Sequence, residues 1–510
     1  MLAKVFSAAV SGVNGYPVEV EADVSPGMPH FVTVGLPDAA VKESKDRVQA
    51  AMRNSGFDFA PGKYTINLAP ADTKKEGPAF DLPIALAILI ATRQVIAIQR
   101  DKTAVIGELS LDGTVRGVRG ILPIAAALRT AGFETLLVSP ENAKEAALVD
   151  GLAVYPVKNL GEAAGLIEGR LTMEPFRVDL KAEFAQAASY PLDLEDVKGQ
   201  EHAKRALEVA AAGGHNLLMI GPPGAGKTML ARRLPTILPD LSLAESLETT
   251  KVHSVAGALP SDKALIATRP FRAPHHTISY AGLIGGGSYP RPGEVSLAHN
   301  GILFLDELPE FERSVLEVLR QPLEDRSVNI ARAQISLTFP ASFTLVASMN
   351  PCPCGYHGDP NHSCSCTPAQ ISRYRAKISG PLLDRIDIHL EVPAVPYRDL
   401  SGDRSGDTSE VIRQRVNAAR RRQQERYKGT EVHANAALTS PMIRRFCQPD
   451  DSARQLLQQA VDRLGFSARA YDRVLKLART IADLEEVEQI SAAHISEAIA
   501  YRSLDRKTRR

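Results

Sequence analysis

The segment Gly221-Pro222-Pro223-Gly224-Ala225-Gly226-Lys227-Thr228 constrains this chain more than any other. It fits G-x-x-x-x-G-K-[ST], and its flanks fit too: Asn216–Ile220 is a short apolar run of strand type, and Met229–Leu234 reads as helix. Glycines let backbone N–H groups fold around phosphate oxygens, and the start of the following helix adds partial positive charge. In such a loop Lys227 reaches the β- and γ-phosphates of a nucleoside triphosphate, and Thr228 holds Mg2+. A second half of the site follows at Ile302–Leu305, an apolar strand that delivers Asp306 and Glu307 to its C-terminal end, where α/β sheets bind ligands. Asp306 is expected to position Mg2+, directly or through water, and Glu307 to polarise the attacking water. Asn350 closes a third apolar run; its amide either holds that water against the γ-phosphate or only opens the turn at Pro351.

Three blocks separate by texture, in line with the roughly three domains that 510 residues suggest. Residues 1–170 mix strand-like runs (Val18–Val20, Phe31–Val34, Tyr64–Leu68, Ala104–Ile106, Thr135–Val138) with helices at Ala39–Ser55, Pro83–Ala91 and Leu122–Thr130, and Asp112-Gly113 signals a hairpin. Residues 171–195 read as a linker. Residues 196–395 alternate helix with continuous apolar strands, the pattern of a parallel sheet covered by helices on both faces. Pro396–Ser409 is a polar loop, and residues 410–510 read as five helices. The apolar share of 44% and charged share of 23% are those of a soluble globular protein, not a disordered one. The longest apolar run, Ile84–Ala91, has eight residues, against about 18 for a membrane span. The N-terminus lacks the apolar core of a signal peptide, so a cytoplasmic chain with no membrane partner is expected.

A net charge of +1 argues at first against nucleic acid as a partner. Mapped, it is a cancellation: residues 411–510 carry 20 Lys+Arg against 12 Asp+Glu, leaving about −7 on the rest. Arg413, Arg415, Arg420, Arg421, Arg422 and Arg426 crowd one helix, and the chain ends in Arg506-Lys507-Thr508-Arg509-Arg510. Such a run is either a solvated face or a phosphate-binding one. Four of the five cysteines also cluster, as Cys352-Pro353-Cys354 and Cys364-Ser365-Cys366. Four thiolates in one loop suit a tetrahedral structural Zn2+, and His357 or His362 offers a substitute ligand. Disulfides or free thiols are the other readings.

Together these elements resemble the AAA+ ATPases, specifically the magnesium-chelatase-like branch and its YifB/ComM family, over nearly the whole chain. The resemblance rests on Val197–Ala211 (VKGQEHAKRALEVAA), Arg269–Ser279 (RPFRAPHHTIS), Gly285–Phe311, Met349–Gly355 (MNPCPCG), Gly380–Pro393 (GPLLDRIDIHLEVP) and Ser467–Leu484. The fold it implies is α/β: a P-loop AAA+ module over 196–395 with a Cys-rich insertion at 352–366, a helical lid over 410–510, and an N-terminal α/β domain. It implies a homohexameric ring with ATP between subunits, Arg385 as an arginine finger from the neighbour, and Arg469 at the sensor-2 position with Arg473 as its competitor. Val197–Gln200 matches the segment that lines the adenine pocket. Ser327–Leu337 matches a hairpin that projects into the ring's channel with Arg332 at its tip, and Gly285–Gly293 a second pore loop carrying Tyr289 and Arg291. Arginines there would contact DNA phosphates without reading sequence, and aromatic and Arg groups can stack on bases; solvated arginines and ordinary turn packing are the alternatives.

Lys74–Leu89 and Gly107–Leu128 resemble the Lon protease-like domain. Ala79 stands where that family has its serine, and the lysine position falls near Leu122, so no peptidase activity is expected. The family implies an ATP-driven branch-migration helicase acting in homologous recombination of DNA taken up by natural transformation, with recombination proteins as candidate partners. A metal-chelatase motor subunit and a protein-remodelling ATPase are the alternatives. The Lon-like domain and the Cys loop speak against the first; a basic hairpin tip in place of an aromatic-apolar pair speaks against the second.

Overall fold

The computed structural model describes all residues except 99–100, 188–189, 261–262, 288, 333–334, 361, 396–405, 503 and 505–510. Most of the polar loop and the terminal basic run therefore lie outside the described residues. The chain forms two compact units, Met1–Ala187 with Ser246–Ile266, and Ala188–Glu245 with Ala267–Arg510.

The first unit is built on strands β1 (Leu2–Ser11), β2 (Asn14–Ser25), β3 (His30–Val34), β4 (Lys63–Ala69), β5 (Thr103–Val105), β8 (Thr135–Val138) and β9 (Ala153–Pro156), with a small hairpin of β6 (Glu108–Leu109) and β7 (Val115–Arg116). The seven-stranded sheet has the order β3-β4-β2-β1-β5-β8-β9. β1 and β2 pair antiparallel from Leu2↔Asp23 to Ser11↔Asn14, around a turn with Gly12 at φ 63°. The Ala- and Ser-rich start of the chain hides β1, yet its alternation buries Ala3 and Val5. The expected Asp112-Gly113 turn is present between β6 and β7, with Gly113 at φ 86°. Helix Asp81–Ala91 is buried at every residue, which explains an apolar run with no polar face: it packs on β1 and β2 as a core helix. The helix expected over Ala39–Ser55 divides into Ala39–Lys42, capped by Asp38, and Ser44–Asn54.

The second unit carries β10 (Leu217–Ile220), β11 (Phe271–Arg272), β14 (Ile302–Leu305), β17 (Thr344–Met349) and β18 (Ile388–Glu391) in one parallel sheet of order β11-β14-β17-β10-β18. Every residue of β10 and β14 is buried, as expected of strands covered on both faces. Two two-stranded ribbons stand outside this sheet: β12 (Gly285–Gly286) with β13 (Arg291–Pro292), and β15 (Ser327–Arg332) with β16 (Ile335–Pro340). From β10 the chain travels to the β11 edge and returns through β14 and β17, so the C-terminal ends of β14, β17 and β10 lie side by side. The helices Ser409–Arg426, Ser440–Phe446, Asp451–Leu464, Ala468–Leu484 and Ala492–Ala500 share one apolar core with this sheet. Thr408, Asp450 and Ser467 cap three of them by accepting backbone N–H groups. Among the described residues no helix is long and apolar enough to cross a membrane.

The Arg-rich helix is tied down within its own unit. Arg415 pairs with Glu208 and Asp407 at 2.6 Å each, Arg422 with Glu486 at 2.7 Å, and Arg413 with Glu410 and Asp240. Arg420 donates to the carbonyls of Ala211 and His433. Most of these arginines are thus held by acceptors of their own unit, whereas Arg421 is exposed and donates within its helix to the Asn417 carbonyl. Arg426 makes a two-pronged pair with the fully buried Asp483, which also accepts from Arg479 and Asn435. Asp483→Ala would leave two guanidinium groups without their shared acceptor, and about 3–5 kcal/mol of stability should be lost. Urea unfolding should show a lower midpoint with an unchanged slope.

Candidate active site

The phosphate loop is shaped by contacts that only glycine permits. A Cβ on Gly221 would lie 2.0 Å from the Val392 carbonyl oxygen, and Gly224 and Gly226 have φ of 75° and 80°. Gly226 leads into helix Lys227–Arg233, which puts Lys227 and Thr228 at the helix start. Lys227 Nζ donates to the carbonyls of Gly221 (2.7 Å) and Pro222 (2.9 Å) and to Asn350 Oδ1 (3.2 Å). Burial lowers its pKa, opposed by the nearby charges of Asp306 and Glu307. Val197 is buried, and Gln200, at φ 57°, donates from Nε2 to the carbonyls of Ala225 and Pro393. The expected adenine-side segment therefore clasps the phosphate loop directly.

Asp306 collects three donors. Thr228 Oγ1 donates to its Oδ2 at 2.9 Å, while the Ser348 hydroxyl and the Glu307 backbone N–H both donate to Oδ1. A hydroxyl and a carboxylate side by side form the hard-oxygen pair that suits Mg2+, so Thr228 and Asp306 fit that ion. Glu307 adopts a left-handed backbone, φ 54° and ψ 49°, which turns its 59%-exposed carboxylate away from Asp306's bonding network. Such backbone strain in a non-glycine residue clusters at functional sites. A cavity of about 460 Å³ is lined by Pro223–Met229, Asp306, Glu307, Ser348, Met349 and Asn350. Thus Gly224, Ala225, Gly226, Lys227, Thr228, Asp306, Glu307 and Asn350 converge as the sequence leads one to expect. Sequence reading passed over two neighbours. Ser348 is hidden inside an apolar strand, and His276, whose Nδ1 stands 3.9 Å from the Glu307 carboxylate, lies in Arg269–Ser279, a segment that carries the resemblance without a role for its histidines.

Arg385 and Arg469 stand apart from this cavity. Arg385 pairs with Glu324, donates to the Pro381 carbonyl at 2.6 Å and lines a second cavity with Glu317, Arg320 and Asn329. Arg469 is exposed and lies 3.4 Å from Asp384, whereas Arg473 pairs with Asp387. Burial pushes the Asp387 carboxyl up, but Arg473 and His215 outweigh it and hold it well below the usual carboxylate range. The ribbons carrying the other basic candidates touch. Arg332, the last residue of β15, donates from Nε to the Gly287 carbonyl at 3.2 Å, across a Gly286 whose Cβ would sit 3.1 Å from Arg332 Nη2. Arg332 and Arg291 are both exposed. The turn residues 333–334 lie outside the described residues.

The thiols of Cys352, Cys354, Cys364 and Cys366 all lie within 4.8 Å of one another. Three of the spacings are 3.3, 3.6 and 3.7 Å, close to the edge of about 3.8 Å for sulfurs placed tetrahedrally around zinc at about 2.3 Å. His362 instead stacks on Tyr356, and neither it nor His357 joins the group. In the first unit Leu122 is buried against Leu148, Ala264 and Leu265, and Ala79 packs on a neighbouring apolar cluster. No hydroxyl or amine stands at either position.

The family description "Magnesium chelatase, subunit ChlI" matches residues 193–400, "Subunit ChlI of Mg-chelatase" residues 20–142, and "Magnesium chelatase, subunit ChlI C-terminal" residues 406–502. The chain is 46% identical to the uncharacterized protein YifB of Salmonella typhimurium over 99% of this chain and 98% of that one. It is 45% identical, with the same coverage, to the competence protein ComM of Haemophilus influenzae. Lon protease 2 of Bacillus subtilis is 31% identical over 156 residues, 29% of this chain and 28% of the protease.

Glu307→Gln keeps the shape of the cavity but removes the carboxylate expected to accept the water's proton. Steady-state triphosphate hydrolysis should fall by about 10²–10⁴, while binding of a fluorescent nucleotide is retained. Loss of binding along with turnover would place Glu307 in nucleotide capture instead.

Proposed function

Because the chain belongs to the YifB/ComM family of magnesium-chelatase-like AAA+ ATPases, we propose that it is an ATP-driven hexameric motor on DNA. Its task is branch migration during homologous recombination of DNA taken up by natural transformation. The observation that carries this reading is the pair of ribbons joined through Arg332 and Gly287, with Arg332 and Arg291 exposed. Exposed guanidinium groups on such ribbons suit phosphate contacts, which grip a strand whatever its sequence. The competence protein of Haemophilus influenzae, similar along its whole length, supports the biological setting. Recombination proteins are the partners this setting calls for.

In this mechanism Lys227 draws the β- and γ-phosphates into the loop, and the N–H groups around Gly224 and Gly226 hold their oxygens. Thr228 and Asp306 would hold Mg2+, which neutralises phosphate charge when bound. Glu307 takes the proton of the attacking water, and Asn350 holds that water toward the γ-phosphate. Arg385 acts on the ATP of the neighbouring subunit, consistent with its place outside its own chain's cavity. The β15–β16 ribbon leads through a three-residue link into β17, which ends at Met349, directly before Asn350. Movement at the γ-phosphate therefore has a short, stiff route to Arg332. The four cysteines hold a structural Zn2+ in this reading, and the Lon-like unit serves as a scaffold without peptidase chemistry.

Purified protein with ATP should migrate a synthetic four-way junction, and branched DNA but not porphyrin should stimulate its ATPase. Equal, negligible strand exchange by wild type and Glu307→Gln would end the motor reading. Arg385→Ala alone should lose about 10³–10⁵ in hydrolysis. Mixing it with Glu307→Gln subunits should restore part of the activity, because one intact glutamate then meets one intact arginine. Arg332→Ala should weaken DNA binding evenly across sequences and reduce the salt dependence by about one phosphate contact.

A further inference from the structure

The cysteine cluster is not remote from the chemistry. β17 ends at Met349, Asn350 follows, and Cys352 comes two residues later, fully buried. The Gly355 N–H closes a turn onto the Cys352 carbonyl at 3.0 Å, which folds Cys352 and Cys354 toward one another. Gly355, at φ 89°, presses against the phosphate loop: a Cβ there would lie 2.6 Å from Pro223 Cδ and 2.8 Å from its Cγ. Cys366 then runs directly into Thr367, which caps helix Pro368–Arg375 with a reciprocal capping box. The far end of that helix returns to the same place, where Arg375 donates twice to the Pro351 carbonyl, at 3.3 and 3.1 Å. Tyr374, on the same turn, takes a hydrogen bond from the Asn350 backbone, and burial pushes its phenol up to about 12.

The segment carrying Asn350 is thus clamped at both ends. On one side stands a strand of the central sheet; on the other, the loop that gathers the four thiols. From that loop two short paths lead into the cavity: through Pro351 to Asn350, whose Oδ1 meets Lys227 Nζ, and through Gly355 to Pro223. A loop with so little apolar content does not hold such a shape by packing. Four sulfur ligands on one ion do, and they fix the turn between Cys352 and Gly355 rigidly.

We propose that the Cys352/Cys354/Cys364/Cys366 centre is a positioning device for ATP hydrolysis: Zn2+ bound there holds Asn350 and Pro223 in their working places. The proposal rests on the zinc reading given above and adds to it a control over turnover. Cys352, Cys354, Cys364, Cys366 and Gly355 are positioning residues, since none of them lines the cavity.

The test uses the full-length protein and three readouts: zinc content, kcat for ATP hydrolysis, and affinity for a fluorescent nucleotide. A zinc-selective chelator that leaves Mg2+ free should lower kcat about 10²-fold, the scale of an ångström-sized misplacement. Nucleotide affinity should change far less, and re-added Zn2+ should restore turnover. Because metal removal can also unfold the loop, Gly355→Ala supplies a second arm. It keeps all four thiols but drives a methyl group into Pro223, so zinc should stay bound while kcat drops. Purified protein without stoichiometric zinc overturns the zinc reading and this inference with it. Bound zinc together with a kcat unmoved by both chelation and Gly355→Ala overturns the coupling alone and leaves the zinc reading intact.

Discussion

Asp306 is the junction on which the active site depends. Its two oxygens gather a hydroxyl from the helix after β10, a hydroxyl from β17 and the backbone of its own successor. Three elements far apart in sequence are thereby fixed to within a hydrogen bond of one carboxylate. The fold makes this possible because the strand order sets the ends of β14, β17 and β10 side by side. Three donors on one half-buried carboxylate specify its geometry. Glu307, next along the chain, joins that network through its backbone N–H, while its left-handed backbone leaves its carboxylate exposed. Two adjacent acids thus take unlike roles through conformation alone.

How much of this was legible in the residues follows from how local each signal is. The phosphate loop, the acidic strand end and the asparagine are short segments whose chemistry depends on their immediate neighbours, and the structure brings them together. The helices of the last hundred residues were legible for the same reason, because Ser, Thr and Asp caps mark their starts. The first strand was not: Leu2–Ser11 has few β-branched residues, and its identity comes from pairing with Asn14–Ser25. Ser348 and His276 escaped notice because their relevance is a distance across the sheet, which no spacing along the chain encodes.

Charge shows the same limit in another form. A run of arginines on one helix carries two opposite meanings until its partners are known. Here Glu208, Asp240, Glu486 and Asp483 answer most of it, so the excess is spent inside the fold. Arg332 and Arg291, by contrast, are exposed on short ribbons. Composition alone would have ranked these two places the other way round.

The pairing around Arg385 carries a consequence for the proposed ring. Asp384 and Asp387, which bracket it, are bound to Arg469 and Arg473 on helix Ala468–Leu484. Whatever tilts that helix therefore also moves the loop that serves the next subunit. In the proposed ring, each protomer's helical region would thereby be tied to the ATP of the neighbour that Arg385 serves.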